Sequence, residues 1–170
     1  MTKNFNFKLP TEIIFGPDRE EEIGKVLVRY GAKNVLIVIG KNSVRKSGLL
    51  NRVVKKIEQE NITYEILQGV RANPTFDLVK EGLEMAVDNG VDFLLAIGGG
   101  SVIDTAKCIA VNYYNPEGYV TDYNFHVKNP ERALPIGVIL TIAAAGSEMS
   151  NSCVIQDDES GVKKGFNSEV

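Results

Sequence analysis

At 170 residues, with 44% hydrophobic and 24% charged side chains, the chain can bury one domain-sized core. Its formal net charge of −3 argues against a nucleic-acid partner, which calls for a basic face. No apolar run reaches the length of a membrane span: the longest, residues 133–146, is broken by Pro135 and Gly137, and the N-terminus lacks a signal-peptide core.

Residues 5–16, FNFKLPTEIIFG, read as two short strands about Leu9-Pro10, an N-terminal β-hairpin stopped by Gly16-Pro17. Asp18 is placed to cap a helix running to Tyr30, with Ile23, Val26 and Leu27 inward and Gly31 closing it. Residues 34–39, NVLIVI, suit a strand buried on both faces. It ends in Gly40-Lys41-Asn42-Ser43, and the helix that follows turns Leu49, Leu50, Val53, Val54 and Ile57 inward. Residues 62–67, ITYEIL, form a third, more amphipathic strand. After Asn73-Pro74-Thr75 comes a helix with Phe76, Val79, Leu83 and Ala86 on one face, stopping near Gly90.

The stretch from Val91 to Val111 organises the rest. An apolar strand, Phe93 to Ile97, is followed by Gly98, Gly99 and Gly100, then by a helix from Ser101 with Val102, Ile103, Ala106, Ile109 and Ala110 at the spacing of one buried face. Glycines without Cβ let a ligand approach the main chain, and the first free N–H groups of the helix point at it, as a phosphate requires. The same residues also suit a plain strand-to-helix turn, with Ser101 and Asp104 as a capping box. The pattern is neither G-x-G-x-x-G nor the P-loop, so spacing alone leaves the kind of phosphate open. Lys107, one turn after Asp104, is placed to pair with it.

Residues 113–135 are polar, with Pro116, Gly118, Asn129 and Pro130, and read as a long loop of the functional or mobile kind. PIGVIL, residues 135–140, is another buried strand, followed by the small-residue turn TIAAAGSEMS; residues 152–156 and 161–166 form a closing strand pair. Cys108 and Cys153 fall on a helix and a strand and read as buried thiols, which points to a reducing cytoplasm. Alternating strands and helices from residue 34 to 112 give an α/β fold, a Rossmann-like, mainly parallel sheet with helices on both faces. Ligands of such sheets sit at the carboxyl ends of the strands, where the turns 40–43, 98–101 and 141–147 converge; that favours a dinucleotide over an isolated phosphate.

GGGSVIDTAK (Gly98 to Lys107), NPT (Asn73 to Thr75) and LPIGVILTIAAAGSEMS (Leu134 to Ser150) resemble the iron-containing (group III) alcohol dehydrogenases, nearest to their butanol dehydrogenase branch, across essentially the whole chain. The resemblance implies an N-terminal dinucleotide-binding domain, residues 1–170, followed in the family by a helical metal-binding domain, and hydride transfer between NAD(P)(H) and a primary alcohol or aldehyde. It implies that Gly98, Gly99, Gly100 and Ser101, with Asp104, serve the pyrophosphate. Thr141, Ile142, Ser147 and Ser152 would lie along the cofactor, Asn73 at its ribose or phosphates, Lys163 at the nicotinamide side, and Gly40, Lys41, Asn42 and Ser43 at the adenosine end. Dimers formed through the N-terminal strands are implied as well.

The chain departs from the family in two places. Ala145 replaces a common threonine, removing one hydroxyl contact worth about 1 kcal/mol. The family's metal ligands, an aspartate and several histidines for iron or zinc, lie beyond Val170, while this chain has one histidine, His126, in a polar loop that reads as solvated. No residue is a persuasive catalytic acid or base, and the chain reads as the cofactor half of a longer enzyme. Strand 34–39 ends in Gly40 rather than a carboxylate, with Lys41, Arg45 and Lys46 nearby; this permits NADP as well as NAD, unless these are ordinary surface cations. Two alternatives stay open: a stand-alone nucleotide-binding module without catalysis, and a relative of the glycerol dehydrogenases or dehydroquinate synthases.

Overall fold

Four strands form one all-parallel sheet in the order β2-β1-β3-β4: β1 (Asn34–Gly40), β2 (Thr63–Val70), β3 (Phe93–Gly98) and β4 (Ile136–Leu140). They belong to a computed structural model that describes residues 4, 10–115, 118, 120–124, 126–158 and 160–170. The crossovers are made by α2 (Ser43–Lys46) with α3 (Leu49–Gln59), by α4 (Phe76–Asp88) and by α5 (Gly100–Asn112), and α1 (Ile23–Arg29) precedes β1. Two further strands, β5 (Ser152–Gln156) and β6 (Lys163–Asn167), pair antiparallel as a separate ribbon.

Residues 35–39 of β1 and 93–97 of β3 are all apolar because both faces of these central strands are covered. Side chains alternate across the pleat. Val35, Ile37 and Ile39 of β1 join Phe93, Leu95 and Ile97 of β3 against α1 and α3, where Ile23, Leu27, Leu50, Val53 and Ile57 are buried. Leu36 and Val38 join Leu94 and Ala96 on the other face, against Phe76 and Val79 of α4 and Ile103, Ala106 and Ile109 of α5. Helices α1 and α3 approach closely at Gly24, where a Cβ would stand 2.3 Å from the Lys56 carbonyl oxygen.

The α/β architecture and sheet direction match the sequence reading, and four details differ. In the expected N-terminal hairpin, Thr11 to Phe15 form no strand, and the first strand, residues 5–9, lies outside the described residues. Asp18 takes a left-handed φ of 56° and makes no side-chain cap; its carbonyl instead accepts the Glu21 amide at 3.1 Å, opening a 3-10 turn ahead of α1. The helix expected after residue 43 is divided by Gly48, whose φ of 75° breaks the ladder between α2 and α3. PIGVIL is a strand only half-buried, because β4 is the sheet's edge.

The long loop before β4 is structural where it is described. Tyr123 and Asn124 are buried; the Asn124 side chain accepts the Cys108 thiol at 3.4 Å and donates to the Lys164 carbonyl at 3.1 Å, and the Tyr123 and Phe166 rings lie 6.2 Å apart. This wedge seats the β5–β6 ribbon on α5. Cys108 and Cys153 are both buried, free thiols at the same junction.

Candidate functional site

β1 runs into α2 and α3 on one face of the sheet and β3 into α5 on the other, so the chain reverses its winding between these two adjacent strands. Ligand crevices of open α/β sheets form at such switch points. Ile39 pairs with Ile97, and Gly98 with Leu140, so the turns following Gly40, Gly98 and Leu140 share one rim, about 5 Å apart per strand. The three turns singled out in the sequence therefore converge as expected.

Gly98, Gly99 and Gly100 sit at the centre of this rim, for a reason that differs in part from the expected one. None has a left-handed φ. A Cβ on Gly98 would strike Val102, 2.5 Å from its Cγ2; on Gly99 it would lie 2.7 Å from Ile142 Cγ2; and on Gly100 it would lie 3.3 Å from Ala145 Cβ. Gly98 is thus required by the packing of α5 under the turn, whereas at Gly99 the only obstacle is the exposed Ile142 of the 141–146 loop lying over it. Gly100 opens α5, and its amide and that of Ser101 are among those a helix leaves without an intrahelical carbonyl.

A cleft of about 350 Å³ lies directly before these amides. It is lined by Gly100, Ser101 and Asp104 of α5, Asn73 and Pro74 before α4, Ala145, and Val154, Gln156 and Lys163 of the ribbon. Asn73 takes a φ of 60°, a conformation asparagine tolerates better than most residues, and its Oδ1 accepts Lys163 Nζ at 2.8 Å across the cleft mouth. The Gln156 amide donates to the Pro74 carbonyl at 2.7 Å, and Arg71 pairs with Asp158 just outside. The ribbon thus closes the side of the cleft opposite α5.

Of the residues expected to serve a cofactor, the cleft unites Asn73, Gly100, Ser101, Asp104 and Lys163. Gly40, Lys41, Asn42 and Ser43 lie on the same rim across β1, outside the cleft lining; there the Gln68 side chain donates to the Lys41 carbonyl and accepts Arg45 Nε at 2.7 Å. Thr141 and Ile142 are exposed on the loop covering Gly99, and the Thr141 amide donates to the Gly98 carbonyl at 3.1 Å. Ser147 and Ser152 turn toward Lys107: its Nζ donates to the Ser147 carbonyl at 2.6 Å and to the Ser152 carbonyl at 2.9 Å.

Asp104 forms neither the capping box nor the direct pair with Lys107. One carboxylate oxygen accepts the Ser147 hydroxyl at 2.7 Å and the other the Val154 amide at 3.1 Å, while α5 begins at Gly100 with Gly99 as its N-cap, so Ser101 lies inside the helix and opens no capping box. Burial pulls the Lys107 ammonium below its usual pKa, and the nearby Asp104 carboxylate opposes that shift.

Sequence reasoning missed Pro74, Val154 and Gln156. Cys153 and Ile155 of β5 are buried, so Ser152, Val154 and Gln156 share its other face. A period of two counted along the strand from Ser152, already expected at the cofactor, would have found the last two.

The family model for iron-containing alcohol dehydrogenases matches residues 10–170. The chain belongs to the iron-containing alcohol dehydrogenase family. It is 40% identical over 168 residues to the probable NADH-dependent butanol dehydrogenase 1 of Bacillus subtilis (strain 168), covering 99% of this chain and 43% of the relative. It is 32% identical over 167 residues to the NADPH-dependent aldehyde reductase of Escherichia coli (strain K12), covering 97% of this chain and 42% of that one. The solved structure of NADH-dependent butanol dehydrogenase A from Thermotoga maritima superposes with a TM-score of 0.94 at 35% identity, over 98% of this chain and 42% of that one. The chain therefore spans about two fifths of the length of the curated relatives it matches.

The two groups the family implies fare differently against the residues present. Free helix amides, a serine hydroxyl and a lysine ammonium around one cleft are a donor set suited to a diphosphate. Among the described residues no three of His, Cys, Asp and Glu come together as metal ligands, and His126 is exposed with a φ of 58°. The described residues do not fit an iron or zinc site.

Proposed function

We propose that residues 1–170 are the dinucleotide-binding domain of an alcohol dehydrogenase that transfers hydride between NAD(P)(H) and a primary alcohol or aldehyde such as butanol or butanal. One observation carries the reading: the cleft at the switch point, where the α5 amides face Asn73 and Lys163. The Gly100 and Ser101 amides hold the diphosphate, the turn 40–43 receives the adenosine end, and Lys163, fixed by Asn73, stands at the nicotinamide side. The nicotinamide, when bound, supplies the hydride chemistry. The protein's part here is to bind and orient, with no catalytic acid or base of its own. Metal coordination and most of the substrate pocket belong to a helical domain outside these residues. The B. subtilis relative's name supports butanol and NADH; the E. coli relative's name and Gly40, which places no carboxylate against a 2′-phosphate, support NADPH as an equally admitted cofactor.

The reading places the protein in the cytoplasm; no helix among the described residues is long and apolar enough to cross a membrane. It also assigns a homodimer, supported by Ile13 and Phe15, exposed beside the N-terminal segment. The second reading, a nucleotide-binding module without catalysis, draws on the lack of a metal-ligand cluster among the described residues.

Fluorescence titration of NADH and NADPH against the purified chain tests the binding claim. Saturable binding displaced by ADP is expected, with no oxidation of butanol by the chain alone. Failure of both nucleotides and of ADP to bind refutes the reading. Metal-dependent turnover by a protein that joins this chain to a helical domain separates the dehydrogenase from the module.

A further inference from the structure

Lys107 is half-buried and presents three protons to four oxygens: the carbonyls of Ser147 at 2.6 Å, Ser150 at 2.7 Å and Ser152 at 2.9 Å, and Ser147 Oγ at 3.1 Å. Ser147 Oγ gives its own proton to Asp104 Oδ1, so its lone pairs face the ammonium. Asp104 Oδ2 takes the Val154 amide. Two residues one helical turn apart on α5 thus fasten the whole segment from Ser147 to Val154. Among the described residues, no other side chain bonds all three of those carbonyls. The segment enters β5, whose Val154 and Gln156 form the cleft wall facing the α5 amides.

The wall and the amides are therefore held by a single helix. Gly100 and Lys107 are seven residues apart on it, about 10 Å along the axis. We infer that Lys107 is a positioning residue for the dinucleotide: it touches no ligand atom, and it sets the separation between the phosphate-binding amides and the β5 wall. This rests on the nucleotide reading above. A dinucleotide reaching from the turn at residues 40–43 past the amides to the wall feels that separation. ADP, which ends at the amides, does not.

The test titrates NADH and ADP against the chain and against Lys107→Met, with thermal melts as the control for folding. The expected result is an NADH Kd about tenfold higher, the equivalent of one charge-assisted hydrogen bond, with the ADP Kd within twofold of the parent. Should Lys107→Met fail to fold, Lys107→Arg takes its place. A planar guanidinium keeps the charge and cannot aim at three converging carbonyls, so it should show the same split in weaker form. An equal loss of NADH and ADP affinity marks general damage and overturns the inference, as does unchanged NADH affinity in the folded variant. A parent chain that binds ADP but not NADH overturns it while the diphosphate site stands; a parent that binds neither removes the nucleotide reading itself.

Discussion

Replacing the glycines of the β3–α5 turn by alanine, one at a time, separates packing from binding, because each meets a different obstacle. On Gly98 the new Cβ would lie 2.5 Å from Val102 Cγ2 and 2.8 Å from Val102 Cβ. Val102 is buried and its Cβ is fixed to the helix, so no rotamer clears both contacts. Overpacking of this kind costs about 2 kcal/mol, and a Tm lower by about 4–8 °C follows for a chain of this size. On Gly99 the obstacle is Ile142 Cγ2 at 2.7 Å, but that side chain is 61% exposed and can swing aside, for under about 1 kcal/mol. On Gly100 the contact is Ala145 Cβ at 3.3 Å, and the gain of up to about 1 kcal/mol in helix propensity offsets it. Stability therefore falls in the order Gly98→Ala, Gly99→Ala, Gly100→Ala, the first being worst. Affinity runs the other way: only Gly100 of the three lines the cleft, and a methyl group there raises the NADH Kd about tenfold. Thermal melts and NADH fluorescence titrations give both rankings, and Ile142→Ala added to Gly99→Ala should restore its Tm. A Gly100→Ala chain that binds NADH like the parent would remove the α5 amides from the phosphate site.

Gly24→Ala sets a Cβ 2.3 Å from the Lys56 carbonyl oxygen and 2.9 Å from Glu60 Cγ, forcing α1 off α3. It should cost about 3 kcal/mol in urea unfolding without changing NADH affinity, since the contact lies on the face of the sheet away from the cleft; a parental unfolding midpoint contradicts this. The Cys108 thiol is held well above its ordinary pKa by its hydrogen bond with Cys153 and by burial. In the unfolded chain thiols ionise near about 8.5, so the folded state then holds more protons; stability is full below that pH and declines as pH rises toward the folded value. The urea midpoint should thus fall between pH 8 and pH 10, and a thiol reagent at pH 8 should meet both cysteines only after unfolding; prompt labelling of the native chain counts against this. Lys41→Ala should raise the Kd for NADPH and leave that for NADH unchanged; a lower NADPH Kd relative to NADH would refute a phosphate contact at that turn.

The parallel sheet was legible because burial on both faces leaves no polar position in residues 35–39 or 93–97, and few other structures tolerate such runs. The site's rim was legible because its three turns follow those strands. Its outer wall was not. Nothing local to Lys107 tells that its ammonium meets carbonyls 40 to 45 residues away rather than the aspartate one turn back. The capping box failed for a local reason: α5 begins ahead of Ser101, with Gly99 at the N-cap, so Asp104 does not stand three residues after the cap. PIGVIL has the composition of a central strand, and only the sheet's strand order makes it an edge.

The ribbon that completes the cleft meets the rest of the molecule through contacts remote in sequence: Lys163 reaches Asn73 across 90 residues, and Arg71 reaches Asp158 across 87. Such encounters are made late, because chain entropy must be lost before they contribute anything. During synthesis the sheet and the glycine turn can form while the ribbon is still within the ribosome. If those remote contacts close last, a nucleotide arriving early meets amides to hold its phosphates but no partner yet for its far end.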